Sequence, residues 1–225
     1  MQTTNSEEHG SVRYVTAISL IAALGGLLFG YDTAVINGAI GFLETHFHLT
    51  AAMKGWASSS ALLGCVVGVS FAGAFSDWLG RKKTLVLAGV LFLASSLGTA
   101  LPQTLTQLVI FRVLAGVGVG IASMASPMYI AEVSPARFRG RMVSVNQFAI
   151  VSGMLVIFFV NYFIARQGSP EWQVSSSWRW MFASGIVPSA VFLVLLLFAP
   201  ESPRWLIKQG HTEQALLILR RIDGA

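Results

Sequence analysis

Charge is what this chain has least of. Asp, Glu, Lys and Arg make up 11% of its 225 residues, where a soluble domain carries about a quarter. Hydrophobic residues make up 54% and the mean hydropathy is +0.67. A water-soluble domain needs more polar surface than this composition supplies, so the chain reads as an integral membrane protein. Cysteine is nearly absent. Cys65 stands alone in an apolar stretch, which excludes an intramolecular disulfide and leaves no signal of redox compartment. No Asn-x-Ser/Thr sequon occurs, which argues against a glycosylated face. The apolar segments hold no nucleophile–histidine pair and no metal-ligating cluster, so no enzymatic activity, metal or cofactor is expected. His46 and His48 have only Glu44 as a nearby acid and read as solvated.

Long apolar runs are abundant instead. Six of them, at 15–42, 55–76, 84–101, 105–130, 142–165 and 178–199, approach or exceed the roughly 20 residues that cross a bilayer as helix. The breaks THFHLTAAMK, DWLGRKK, PQTLTQ, EVSPARFRGR and RQGSPEWQVSSS are polar. The opening MQTTNSEEHGSVRY is polar and acidic and precedes no small-residue cleavage site, so the first run is expected to be retained rather than removed as a signal peptide. The fold class predicted is all-α: six transmembrane helices forming one bundle, plus a short cytoplasmic amphipathic helix. The organisation predicted is a tail over 1–13, the bundle over 14–200 and a linker over 201–225. In the linker Gly210 reads as a helix stop and Thr212 as an N-cap. Leu216, Leu219 and Ile222 then share a face beside Arg220 and Arg221, the pattern of a helix lying at a membrane surface.

The basic residues orient the bundle. With the N-terminus inside, eleven Lys and Arg fall on the inner side, while Lys54, Arg166 and Arg179 fall on the outer side and Arg112 lies within the fourth run. This bias predicts cytoplasmic termini in a multi-pass protein of the plasma membrane, the inner membrane in a Gram-negative cell. It also accounts for the net charge of +5 without a nucleic-acid partner. Glycines recur four apart at Gly26 and Gly30, Gly64 and Gly68, and Gly116 and Gly120, spacing that lets helix backbones approach closely in lipid. The string GVGVG at 116–120 lies inside an apolar run, follows no strand, and is not read as a nucleotide fingerprint.

Two ionisable residues sit deep in the runs: Asp32 in the first and Arg112 in the fourth. Each alone costs about 2.5–3.5 kcal/mol on insertion scales, so each needs a partner or a polar cavity. Paired, they form a proton switch, because burial disfavours the carboxylate while a guanidinium favours it. Protonating Asp32 would then release Arg112. The alternative is two structural residues satisfied separately by backbone or water. In the fifth run Gln147, Met154 and Asn161 recur at seven-residue spacing and share a face. An amide such as Gln147 both donates and accepts, which suits a hydroxylated ligand; Asn161 reads as a bond between helices, and Phe29 as an aromatic one turn before Asp32. On the inner side GAFSDWLGRKK (73–83), EVSPARFRGR (132–141) and PESPRWL (200–206) mix acids and bases. Asp77, Arg81, Glu132, Arg139, Glu201 and Arg204 are the candidates for a clamp of ion pairs that holds this face in one conformation.

These strings carry a resemblance. GAFSDWLGRKK resembles the loop signature of the major facilitator superfamily, G-x-x-x-D-[RK]-x-G-R-[RK], and YIAEVSPARFRGR and PESPRWL resemble signatures of its sugar porter branch. GGLLFGYDTAVING at 25–38 is similar to the first helix of the proton-coupled xylose carriers of that branch. The resemblance covers nearly the whole chain. It implies a major-facilitator-type bundle, alternating access of a central sugar site, proton coupling at Asp32 with Arg112, and sugar contacts at Phe29, Gln147 and position 154. Animal glucose facilitators, which resemble this branch, have no acid at the position of Asp32, so Asp32 favours symport. Trp78 departs from the loop signature, and Met154 stands where xylose symporters carry a second Gln. The function implied is secondary active transport of a monosaccharide with proton symport. The alternatives are a proton-independent sugar or polyol facilitator and a non-transporting, sugar-binding or regulatory half-bundle. The partners expected are a monosaccharide, a proton, the lipid bilayer and a second six-helix half, supplied by a longer reading frame or by another copy of the chain.

Overall fold

In a hydrocarbon environment each backbone N–H and C=O must be paired within its own segment, and isolated apolar runs achieve this as helices. The computed structural model describes residues 5–223, with side chains described over 12–222. Five continuous spans are α1 (Asn5–Phe47), α2 (Ala51–Leu79), α3 (Arg81–Ala100), α4 (Leu105–Val133) and α5 (Arg139–Ala165). The sixth span, Pro170–Phe198, is built from α6 (Pro170–Trp172), a π-helical turn at Gln173–Ser177, α7 (Trp178–Ala183) and α8 (Ile186–Phe198). Two short helices follow, α9 (Pro203–Lys208) and α10 (Thr212–Asp223). All six spans are long and apolar enough to cross a membrane.

Three boundaries differ from expectation. Helix α1 continues through position 13/14 without a break; residues 1–4 of the expected tail lie outside the described residues. The gap expected between the second and third runs closes to one residue, Gly80, which ends α2 and starts α3 at φ 95° and ψ 163°. Only glycine adopts that backbone cheaply, and a Cβ there would run into the Glu201 carboxylate. The sixth span begins eight residues earlier than the apolar run, because Ser169 Oγ accepts from Trp172 N (3.3 Å) and Pro170 occupies the first turn, a strong helix start. It breaks at Ser184–Gly185, where Pro188 lacks an N–H and its ring excludes a helical carbonyl at Ser184.

The connectors are short, so successive spans run antiparallel and the loops alternate between two faces. One face, called the basic face here, carries Arg81, Lys82, Lys83, Arg137, Arg139, Arg141, Arg204 and Lys208. Helices α1 and α4 are central: α1 packs chiefly on α5 and α4, and α4 chiefly on α2 and α3. The glycine pairs make these contacts. A Cβ on Gly116 would meet the Ala61 carbonyl of α2, and one on Gly30 would meet the Ile150 carbonyl of α5. On the far side α3 packs against α7 and α8. Helices α2 and α5 leave large apolar side chains exposed, among them Leu62, Val66, Phe71, Phe148, Leu155 and Phe159.

The terminal amphipathic helix is present, but its buried face differs. Ala215 and Ile222 are buried and Ile218 packs against the core, while Leu216 is exposed. The helix rests on α9 and α1, and that support selects a stripe rotated from the most apolar one.

Candidate functional site

The two intramembrane charges meet. Arg112 on α4 is 1% exposed, and its Nη1 lies 3.1 Å from Asp32 Oδ2, with the Asp32 side chain 16% exposed. The same Nη1 donates to the backbone carbonyl of Asp32 at 3.2 Å. The guanidinium carbon stands 5.9 Å from the centre of the Phe182 ring, and Nε has no hydrogen-bond partner among the described residues. The pair is therefore single-pronged, unlike the two-pronged fork that gives arginine–carboxylate pairs their strength. The carbonyl bond is a second tie between Arg112 and α1, beside the one to the carboxylate. Beside the pair, Ser184 Oγ donates to Met181 O (2.6 Å) and so accepts from the Tyr31 hydroxyl (2.7 Å).

The sugar-contact candidates lie on the other flank of α1. Gly26 abuts Asn146, and Gly30 abuts Ile150 and the Met154 amide, which brings Phe29 of α1 level with Gln147 and Met154 of α5. Gln147 is exposed, while Phe29 and Met154 are half-buried against separate core clusters. These residues form an open surface rather than an enclosed pocket. Asn161 is buried, donates to Val35 O (3.2 Å) and fills the space over Gly38, a bond between helices as expected.

On the basic face, Arg81 is the hub. Its Nη2 donates to Glu132 Oε1 at 3.0 Å, and its Nε lies 2.9 Å from Oε2 without hydrogen-bond geometry, in an ion pair between side chains 9% and 8% exposed. Its Nη1 reaches Asp77 Oδ1 (3.2 Å) and Ser76 O (3.0 Å). Three of the six clamp candidates, Asp77, Arg81 and Glu132, thus form ion pairs. Glu201 instead accepts from the backbone N–H groups of Arg81 (2.9 Å), Lys82 (3.1 Å) and Ser202 (2.8 Å), because the one-residue turn aims the unpaired first amides of α3 at it. Arg139 and Arg204 are exposed and form no ion pair among the described residues; with Glu132 they line an open cavity of about 340 Å³. Sequence reasoning missed Ser202, which donates to Glu132; Trp205, whose Nε1 donates to Asp77 O (2.9 Å); Lys208, which lies 3.5 Å from Asp77; and Tyr129, whose hydroxyl donates to Pro200 O (2.8 Å). The Ser-Pro pair that caps α9 was the readable signal for Ser202. At the opposite face His46 is not solvated but half-buried, its ring 5.5 Å from that of the buried Trp178.

A six-helix bundle with a buried acid–arginine pair and a charged clamp at one face is a bundle of the major facilitator type. The chain belongs to the family described as sugar (and other) transporter, whose pattern matches residues 18–225. It is 45% identical over 237 residues to the D-xylose-proton symporter of Escherichia coli (strain K12), covering 94% of this chain and 48% of that protein. It is 47% identical over 214 residues to the arabinose-proton symporter of Bacillus subtilis (strain 168), covering 95% and 46%. Its fold superposes with a TM-score of 0.92, at 45% identity, on the proton:xylose symporter XylE bound to 6-bromo-6-deoxy-D-glucose, covering 94% of this chain and 50% of that one. The chain spans about half the length of the relatives it matches.

Proposed function

We propose that this chain is the first six-helix half of a proton-coupled monosaccharide symporter of the plasma membrane, its basic face cytoplasmic. Asp32 carries the proton, Arg112 senses its charge, and Phe29, Gln147 and Met154 form one wall of the sugar site. The Asp77–Arg81–Glu132 network, with Glu201, holds the cytoplasmic side closed in one state; Arg139 and Arg204 belong to the same gate and engage in another state. The observation that carries the reading is the buried, single-pronged Asp32–Arg112 pair. An ion pair meant only for stability would be expected to be better satisfied at this depth. The names of the two symporter relatives support sugar and proton as the transported species. A second six-helix unit, from a longer chain or another copy, closes the site over the exposed faces of α2 and α5.

The test is transport in sealed vesicles holding the chain together with a complementary six-helix unit. A proton gradient should drive accumulation of labelled xylose, arabinose or glucose. Asp32→Asn should abolish accumulation while leaving sugar counterflow. Accumulation by Asp32→Asn equal to the wild type would refute the coupling role, and sugar binding without any flux would favour a sensor.

A further inference from the structure

The sixth span does not lie flush against α5. It carries a π-helical turn at Gln173–Ser177 and breaks between α7 and α8. Helix α5 packs chiefly on α1 and touches the sixth span lightly, at α7 and the π-helical turn. A cavity of about 520 Å³ is left between them, a size at which proteins hold small apolar ligands. Ile164, Gln167 and Trp172 line it where the chain turns over from α5 into the sixth span, and Trp180, Ser184 and Val187 line it further along that span.

The cavity has a polar end and an apolar end. At the face opposite the basic loops stand the Gln167 carboxamide and the Trp172 indole, the latter a residue favoured where a membrane meets water. Toward the middle of the span no charged residue lines the cavity among the described residues. The one hydroxyl there, Ser184, already donates to Met181 O (2.6 Å) and accepts from Tyr31 (2.7 Å). A buried water needs two to four polar partners, so this end stays dry. Trp180 and Val187 are 61% and 68% exposed, and they belong to a helix long and apolar enough to cross a membrane. The apolar end therefore opens sideways, onto a surface that faces lipid. From Trp172 to Val187 the span advances about 20 Å, and one leaflet of hydrocarbon is about 15 Å deep. The gradient and the length are those of one lipid in one leaflet.

We propose that this cavity binds a phospholipid of the leaflet opposite the basic face, with one acyl chain between α5 and the sixth span and the phosphate at Arg166. Arg166 precedes Gln167, is exposed, stacks over the Tyr162 ring at 4.3 Å and forms no ion pair among the described residues. A phosphate supplies the anion that a guanidinium there lacks. Glu171, on the same connector, is also exposed. With one charge of each sign on the connector, binding follows the phosphate and the chain rather than the net charge of the headgroup. The site does not depend on how the bundle moves sugar or protons.

The experiment uses the full chain, purified in detergent and stripped of lipid. It is loaded with phosphatidylglycerol that carries a photoactivatable group near the end of one acyl chain. Native mass spectrometry should show one phospholipid retained after the excess is washed away, and illumination should attach it within 183–187. Ala183→Leu narrows the cavity and should weaken retention about tenfold or more. Arg166→Gln should weaken it about tenfold, the scale of one hydrogen bond to a charged group. Val194→Leu, on an exposed part of α8 outside the cavity, should retain the lipid as wild type does. If Ala183→Leu fails to fold, the attachment site in the wild type decides. No retained lipid, attachment only outside the cavity lining, or wild-type retention in Ala183→Leu or Arg166→Gln overturns the proposal. So does cross-linking of Ala183→Cys, in a Cys65→Ser background, to a second six-helix unit in lipid, which would assign the cavity to a protein partner.

Discussion

Arg112 holds α1 through one nitrogen, Nη1, which donates to a carboxylate and to a carbonyl, and the two halves of that contact respond differently to substitution. Asp32→Asn retains an amide oxygen and the carbonyl bond, so the loss of stability should be about 1 kcal/mol, the scale of one hydrogen bond. Arg112→Met strands a buried carboxylate and should cost about 3–5 kcal/mol. Thermal unfolding of the purified chain in detergent should rank the two in that order. The pair itself was legible in the sequence, because a charge in the middle of an apolar run must be answered by another. The atom that answers it was not. Nor was Glu201's role: one-dimensional patterns show acids and bases, not which backbone amides a turn leaves unpaired.

At the scale of elements, the six spans and the close contacts at Gly64, Gly68, Gly116 and Gly120 were readable from length and four-residue spacing. The sixth span was misjudged because hydropathy marks its core and passes over a Ser-Pro start and a π-turn. The tightest joint is Gly80, where α2, α3 and the Glu201 cap converge. Gly80→Ala places a side chain in a backbone region that costs of order 1–3 kcal/mol and against a carboxylate held in place by three backbone amides. The expected result is a lower unfolding temperature than wild type. Hydrogen exchange should also become faster at the first amides of α3 while those of α5 keep wild-type protection.

At the scale of the whole molecule, α1 and α4 are enclosed and α2 and α5 are left bare. In a bilayer these bare faces are soluble as they stand, so hydrophobicity alone does not require that they be covered; the proposed sugar wall at Gln147 is what a second six-helix unit would close. In a Cys65→Ser background, single cysteines at Val66 on α2 or Phe159 on α5 should cross-link to the second six-helix unit in lipid. A cysteine at Leu197 on the sixth span should not. Equal cross-linking from all three positions would reject this placement of the partner. The carbonyl bond from Arg112 has a wider consequence. On the function proposed above, the tie between α1 and α4 would keep its carbonyl half in Asp32→Asn, so a single substitution would separate transport from the proton at a small cost to folding. Coupling and architecture would then vary separately, and an active and a passive carrier would lie one substitution apart.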